Sequence, residues 1–310
     1  MITRLTCFAS AIALALVAPA HAQEAPAQTP APADATAAEP KTPATPALWK
    51  VADEDTTIYL FGTVHALPDN IDWYSGAVKT ALSSADDLVT EIDMSPEAMA
   101  GMQGTIMKMA MLPQGTTLRS LMSEEDRAEY EAGLAELGVP AAALDPFEPW
   151  FAALQIANMA YAKVGITPGA GVELNLASKL KEGAGKDALE TVEYQLSIFD
   201  GLPQDAQVEY LLESIEDFDE VGPMLQQVVD EWSVGDVAAV AELVNEPLEE
   251  EPVLADRLLH RRNANWAKWI DQRLDKPGVV FMAVGAGHLG GSKSVQDALK
   301  AEGIETVRVQ

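Results

Sequence analysis

The chain has 310 residues, 48 of them acidic and 20 basic, giving a formal net charge of -28 at pH 7. A field of that sign repels phosphate backbones and anionic lipid surfaces, which excludes nucleic acid and charged membranes as expected partners. It also concentrates cations near the surface, although solubility alone accounts for it.

Residues 1–22, "MITRLTCFASAIALALVAPAHA", combine one Arg, an apolar run from Cys7 to Val17 and the small-residue triplet Ala20-His21-Ala22. That is the layout of a cleaved secretory signal, and the run is too short to span a bilayer. The mature chain is therefore expected to be periplasmic or secreted, with no membrane span after cleavage. Cys7 is the one cysteine of the chain, so the mature protein is expected to form no disulfide. Residues 23–47 consist almost wholly of Ala, Pro, Thr, Gln and a few acids. Such a stretch cannot bury enough apolar surface to offset chain entropy, which predicts a disordered linker. The folded part is read as residues 48–310, a length that suits one large domain or two intimately packed lobes.

The folded part opens with two β-prone runs flanking the turn-forming acids Asp53, Glu54 and Asp55. This predicts a hairpin whose second strand, Thr57 to Phe61, stops at Gly62. A helix is expected over 75–84, then a short strand in "DDLVTEIDM" whose last residues include Glu91 and Asp93. From Ser95 to Trp232 the pattern is mainly helical. Phe147, Trp150, Phe151 and Leu154 fall at i, i+3, i+4 and i+7 on one stripe. A very short strand is expected near Ala188 and Leu189, followed by helices from Thr191 and over 204–218, 221–232, 234–244 and 253–272. The C-terminal section returns to strand, helix and strand: "GVVFMAVGAGH", "SKSVQDALKAEG" and "IETVRV". The fold class is thus α/β (α+β), with a central sheet formed by the N- and C-terminal segments and a large helical insertion between them.

Both ends of this sheet carry the same local spelling: "YLFGTVHALP" with His65 and "FMAVGAGHLGG" with His288. Each is an apolar strand followed by Gly-x-x-His. Glycine permits a tight turn, and a histidine displayed at a strand mouth can ligate metal, accept a proton or donate to an oxyanion. Strand pairing would set the two loops side by side. Glu91, at the end of the strand after the first motif, can reach the same mouth, and Asp93 shares its strand face. Glu190 and Glu193 open a helix, where acids also serve the helix dipole. His260 reads as a solvated helix residue. Of the three arginines on the helix "VLADRLLHRRNANWAKWI", Arg262 with its neighbour Asn263 stands nearest the second histidine strand. No nucleotide-binding loop, dinucleotide fingerprint, His-Glu-x-x-His or Gly-x-Ser-x-Gly motif is present.

The ordered set "LWKV", "TIYLFGTVHALP", "EIDM", "PWFAAL", "GVELNLASKLK", "LETVEYQLSIF", "RNANWAKWI" and "VGAGHLGG" resembles the TraB/GumN family, which is related to the TIKI-type metalloproteases. The resemblance spans nearly the whole mature chain. It implies a site of two Gly-x-x-His motifs (Gly62 with His65, Gly285 with His288), the acid Glu91 and Arg262. For the TIKI branch it implies a metal-dependent peptidase. On that reading a divalent ion, manganese, cobalt or zinc, would be held by His65, Glu91 and His288. Glu190 or Glu193 would take the proton from water, and Arg262 would stabilise substrate charge or orient Glu91. The expected partner is a peptide or protein substrate. The alternatives are non-catalytic capture of an extracellular peptide or signal molecule, and metal-free hydrolysis with a histidine as general base. The animal relatives are membrane-anchored; this chain is expected to carry no anchoring segment after cleavage.

Overall fold

The computed structural model describes residues 41–68, 70–165 and 171–310. The expected leader and residues 23–40 of the expected linker lie outside the described residues. The linker ends earlier than the composition predicts: Thr42–Pro43 (β1) pairs in parallel with Ile71–Asp72 (β4), and Ala44 and Ala47 are buried. Small residues pack there without the large apolar side chains that would have flagged the segment.

Six further strands form the central sheet in the order β6-β5-β7-β3-β2-β8. They are Leu48–Ala52 (β2), Thr56–Thr63 (β3), Asp87–Thr90 (β5), Gly185–Ala188 (β6), Gly278–Gly285 (β7) and Val307–Arg308 (β8). From β6 to β3 the strands are parallel, and β2 and β8 add antiparallel pairs at the far edge. The C-terminal strand β7 inserts between β3 and β5, pairing with β3 along its full length so that Thr63 faces Gly285. Its uninterrupted apolar sequence fits this place, since a central parallel strand is covered on both faces.

One face of the sheet carries Ile58, Leu60, Val280, Met282 and Val284, packed against Trp266, Ile270 and Leu299. These come from the helices Arg261–Leu274 (α11) and Val295–Ala301 (α12). The other face carries Phe61, Phe281 and Ala283, packed with the helical insertion. Among the helices of that insertion are Pro149–Lys163 (α4), Val172–Leu176 (α5), Val192–Asp200 (α6), Val221–Val234 (α8) and Val237–Glu249 (α9). In α4 the expected stripe is buried at Trp150, Phe151 and Leu154, while Phe147 lies before the helix and packs on Phe151 at 5.0 Å. Helix Gly76–Ser84 (α1) links β4 to β5. Of the remaining elements, Pro96–Ala110 (α2), Glu124–Glu136 (α3) and Gln204–Glu216 (α7) complete the insertion.

Two expectations need correction. β3 does not stop at Gly62 but runs through it to Thr63. A side chain at Gly62 would meet the Ala286 backbone at 3.1 Å, so this glycine serves close approach between the two motifs, not a turn. The helix expected over 253–272 is broken into Pro252–Ala255 (α10), a π-helical turn over Asp256–His260 and α11. A π-turn adds one residue to the helix and swings the following side chains about 100° around its axis. Arg262 is the second residue after it.

Candidate functional site

The strand register brings the two Gly-x-x-His loops together at the C-terminal ends of β3 and β7, where open parallel sheets hold their ligands. His65 follows β3, and His288 lies in the short 3-10 turn Ala286–Leu289 after β7. Asn245 of α9 clamps the second loop by donating to the carbonyls of Gly287 (2.8 Å) and Gly290 (3.3 Å). Glu91 follows β5 directly, and Glu190 follows β6 two residues after its end. Four neighbouring parallel strands therefore deliver one charged or titratable side chain each to a single mouth.

Arg262 is at the centre, with no exposed surface. Its Nε donates to both oxygens of Glu190 at 3.0 Å, and Nη2 contacts Glu91 Oε2 at 2.6 Å and Glu190 Oε2 at 2.9 Å. Nη1 donates to the Leu258 carbonyl of the π-turn at 3.0 Å and to His288 Nε2 at 3.1 Å. All five guanidinium protons are thus used, and the plane stacks on Trp266 with its centre 4.8 Å from the ring. Gln195 of α6 donates to Glu91 and Glu190 at 3.0 Å each, and Trp266 Nε1 donates to Glu190 at 3.0 Å. The Gly285 N–H donates to Glu91 Oε1 at 2.7 Å.

Because arginine only donates, His288 Nε2 must be the acceptor in that pair, and Nδ1 then carries the proton. Nδ1 donates to Asn263 Oδ1 at 2.6 Å, and Asn263 Nδ2 donates to the Lys293 carbonyl at 2.9 Å, which fixes both the tautomer and the amide orientation. Burial and the adjacent Arg262 charge push the His288 pKa down to about 3, so it is neutral at pH 7.

His65 differs. Its side chain keeps 12% of its surface exposed, and Nδ1 lies 2.8 Å from Glu173 Oε1 of α5. The two side chains form an ion pair. Burial works to lower the His65 pKa, but the Glu173 carboxylate, with help from Glu91, raises it to about 9. Glu91 is shifted the opposite way. Burial favours its neutral form, yet Arg262 above all, with the two histidines and the Gly285 N–H, holds it down at about 2.

Between these groups lies a small gap. A β-carbon at Gly285 would stand 3.3 Å from Glu91 Oε1, 3.5 Å from His288 Cδ2 and 3.9 Å from His65 Nε2. Gly285 has φ -52°, so its backbone does not call for glycine, and a side chain there would press on Glu91 Oε1. His65 and Glu91 present a nitrogen and an oxygen to the gap, whereas His288 presents a carbon. The sequence profile of the TraB/PrgY/gumN family matches residues 47–308. The chain belongs to this family. No curated protein and no solved structure matches the chain.

In this TraB/PrgY/gumN chain two of the three expected metal ligands, His288 and Glu91, already have protein partners. Both nitrogens of His288 are committed to Asn263 and Arg262, and the buried guanidinium sets a full positive charge against Glu91. Among the described residues, no three His, Cys, Asp or Glu side chains stand together as a metal-holding group.

The expected site residues divide accordingly. His65, Glu91, Arg262, His288 and Glu190 converge. Glu190, with three neighbours donating to it, holds Arg262 in place and has no free role as proton acceptor from water. Glu193 is exposed on the other side of α6, where it accepts from Thr105 at 3.3 Å. Asp93 turns away from the site and accepts from the Ser95 N–H at 2.8 Å. His260 is not free in solvent, since it pairs with Glu249 at 2.8 Å. Glu173 was not foreseen. The only sequence cue was its position in the first turn of "GVELNL", where an acid is ordinary.

These opposed shifts set the pH dependence of stability. The folded-state pKa of His65 is raised from 6.5 to about 9, so its contribution is complete below 6.5 and is lost as pH rises through 9. Glu91 is lowered from 4.5 to about 2, and His288 from 6.5 to about 3, so both contributions are lost as pH falls. Chemical denaturation should therefore give a stability maximum around 6.5, and His65→Gln should flatten the alkaline limb while leaving the acid limb in place. An unchanged alkaline limb in the variant would remove His65 as its cause.

Proposed function

We propose that the chain is a hydrolase that cleaves an amide bond, with a peptide as the substrate class, using a water held in the Gly285 gap. The observation that carries this reading is the gap itself. It is flanked by a carboxylate oxygen and an imidazole nitrogen whose environments push their pKa values to about 2 and about 9. Two titratable groups driven apart in this way are poised in the protonation states of a base and an acid. As the water oxygen bonds to the substrate carbonyl carbon, Glu91 Oε1 takes one of its protons. His65 Nε2–H gives its proton to the leaving nitrogen as the C–N bond breaks, leaving a carboxylic acid and an amine. Proton transfer from Glu91 to His65 restores the starting state. Arg262 and Gln195 keep Glu91 ionised and oriented, and Glu173 keeps His65 charged and aligned.

Every step runs through the chain's own groups, so activity on a peptide library should survive exhaustive chelation. A strict requirement for added manganese, cobalt or zinc would overturn the metal-free form of the reading. Gly285→Ala should fill the gap and lower kcat/KM about tenfold or more, roughly 1.4 kcal/mol of barrier, with little change in melting temperature. Wild-type activity in that variant would move the chemistry elsewhere.

The alternative of capture without turnover draws on the apolar pocket beside the gap. It is decided by whether bound peptide is recovered intact. The expected leader places this work outside the cytoplasm, in the periplasm or as a secreted protein, and N-terminal sequencing of exported protein tests that placement. Among the described residues, no helix is long and apolar enough to cross a membrane.

A further inference from the structure

A narrow pocket of about 70 Å³ leads to the two histidines. Its walls come from α8, with Met224, Leu225 and Val228, from Val244 of α9 and from Leu259 of the π-turn. Among the described residues no Asp, Glu, Lys or Arg lines it, although the chain carries 48 acids and 20 basic residues. At its polar end, beside His65, stands Thr63. This residue is 2% exposed, and its Oγ1 has no hydrogen-bond partner among the described residues. A buried hydroxyl costs free energy until a partner satisfies it, and the space in front of this one is where a ligand would sit.

We infer that this pocket is the acyl subsite of the enzyme, taking an uncharged aliphatic chain attached to the carbonyl of the bond that is cleaved. The inference rests on the hydrolase reading for the cleavage but not for the binding. Thr63 O–H donates to the carbonyl oxygen, which sets the carbonyl at the polar end beside His65 and directs its chain between α8 and α9. After cleavage the same groups, Thr63 O–H and His65 Nε2–H, hold the product carboxylate. A charged or strongly polar chain would lose its hydration there with nothing to replace it, whereas each buried methylene tightens binding about fourfold.

Calorimetric titration of the mature chain at pH 7 with butanoate, hexanoate and octanoate should show affinity rising about fourfold per methylene. Leu225→Trp should abolish the chain-length dependence without lowering the melting temperature. Thr63→Val should weaken all three ligands by a similar factor and preserve the increment per methylene. Affinity independent of chain length, or a matching series for butylamine to octylamine in place of the carboxylates, would overturn the assignment. Turnover is read separately on acetyl, hexanoyl and octanoyl p-nitroanilides, where kcat/KM should rise with length. Length-dependent binding without release of nitroaniline would uphold the subsite and remove the hydrolase reading instead.

Discussion

Replacing Arg262 with methionine should destabilise the protein by about 3–5 kcal/mol, the usual cost of removing one partner from a buried charge cluster. Methionine keeps much of the volume and the contact with Trp266, so packing loss contributes little. What changes is that Glu91 and Glu190, both nearly buried, lose the cation they share and face each other across Gln195 alone. Desolvation then drives both towards the neutral form, and the stability maximum should move to lower pH. Arg262→Lys should recover only part of the loss, since one ammonium cannot reproduce five donors arranged as a fork. Arg262→Met combined with Glu91→Gln and Glu190→Gln should recover more, because no charge is then left stranded. Urea unfolding of the four proteins tests the scheme. If the single methionine variant unfolds at the parental midpoint, the cluster does not hold the fold together.

Much of this cluster was legible in the sequence. Apolar runs ending in Gly-x-x-His are local patterns, and they placed β3, β7 and both histidines at strand ends. The position of Glu91 after β5 followed from the same alternation of strand and turn. What local pattern does not encode is side-chain direction set by packing. Glu190 reads as a first-turn acid, and only the folded chain turns it onto Arg262 while sending Glu193 to solvent. The π-turn at 256–260 has no sequence marker, yet it sets the direction of Arg262 and leaves the Leu258 carbonyl as one of its acceptors. Likewise, the glycines at 62 and 285 read as turn residues, whereas at each a β-carbon would come tightly against a neighbouring atom, at 3.1 Å and 3.3 Å.

The roles of the two histidines were even less accessible. The spelling of the motifs is symmetric, but their surroundings are not. His288 is locked neutral between Asn263 and Arg262 and turns a carbon towards the gap, while His65 is charged by Glu173 and turns a nitrogen to it. Asn263 and Glu173 decide this difference; Asn263 stands on α11, the helix just before the second motif, whereas Glu173 belongs to α5, far from both motifs in the chain. A repeated motif thus yields one histidine locked neutral by its neighbours and one held charged.

That division makes His65→Gln the most informative catalytic variant. Glutamine retains a side-chain donor but cannot transfer a proton, so kcat should fall by about 10²–10⁴-fold, the range for a lost general acid. Because His65 acts in its charged form, the parent should lose activity as pH rises through about 9, and Glu91 should impose an acid limb near 2, below the range where the fold persists. The observable profile is then a plateau with a single alkaline limb, and His65→Gln should remove that limb along with most of the rate. Glu173→Gln supplies the decisive comparison. Without the carboxylate beside Nδ1, burial prevails and the alkaline limb should move to lower pH, with activity retained below it. If His65→Gln instead keeps the parental rate and alkaline limb, His65 is not the acid. An alkaline limb that stays in place in Glu173→Gln would show that the Glu173 carboxylate does not govern its charge.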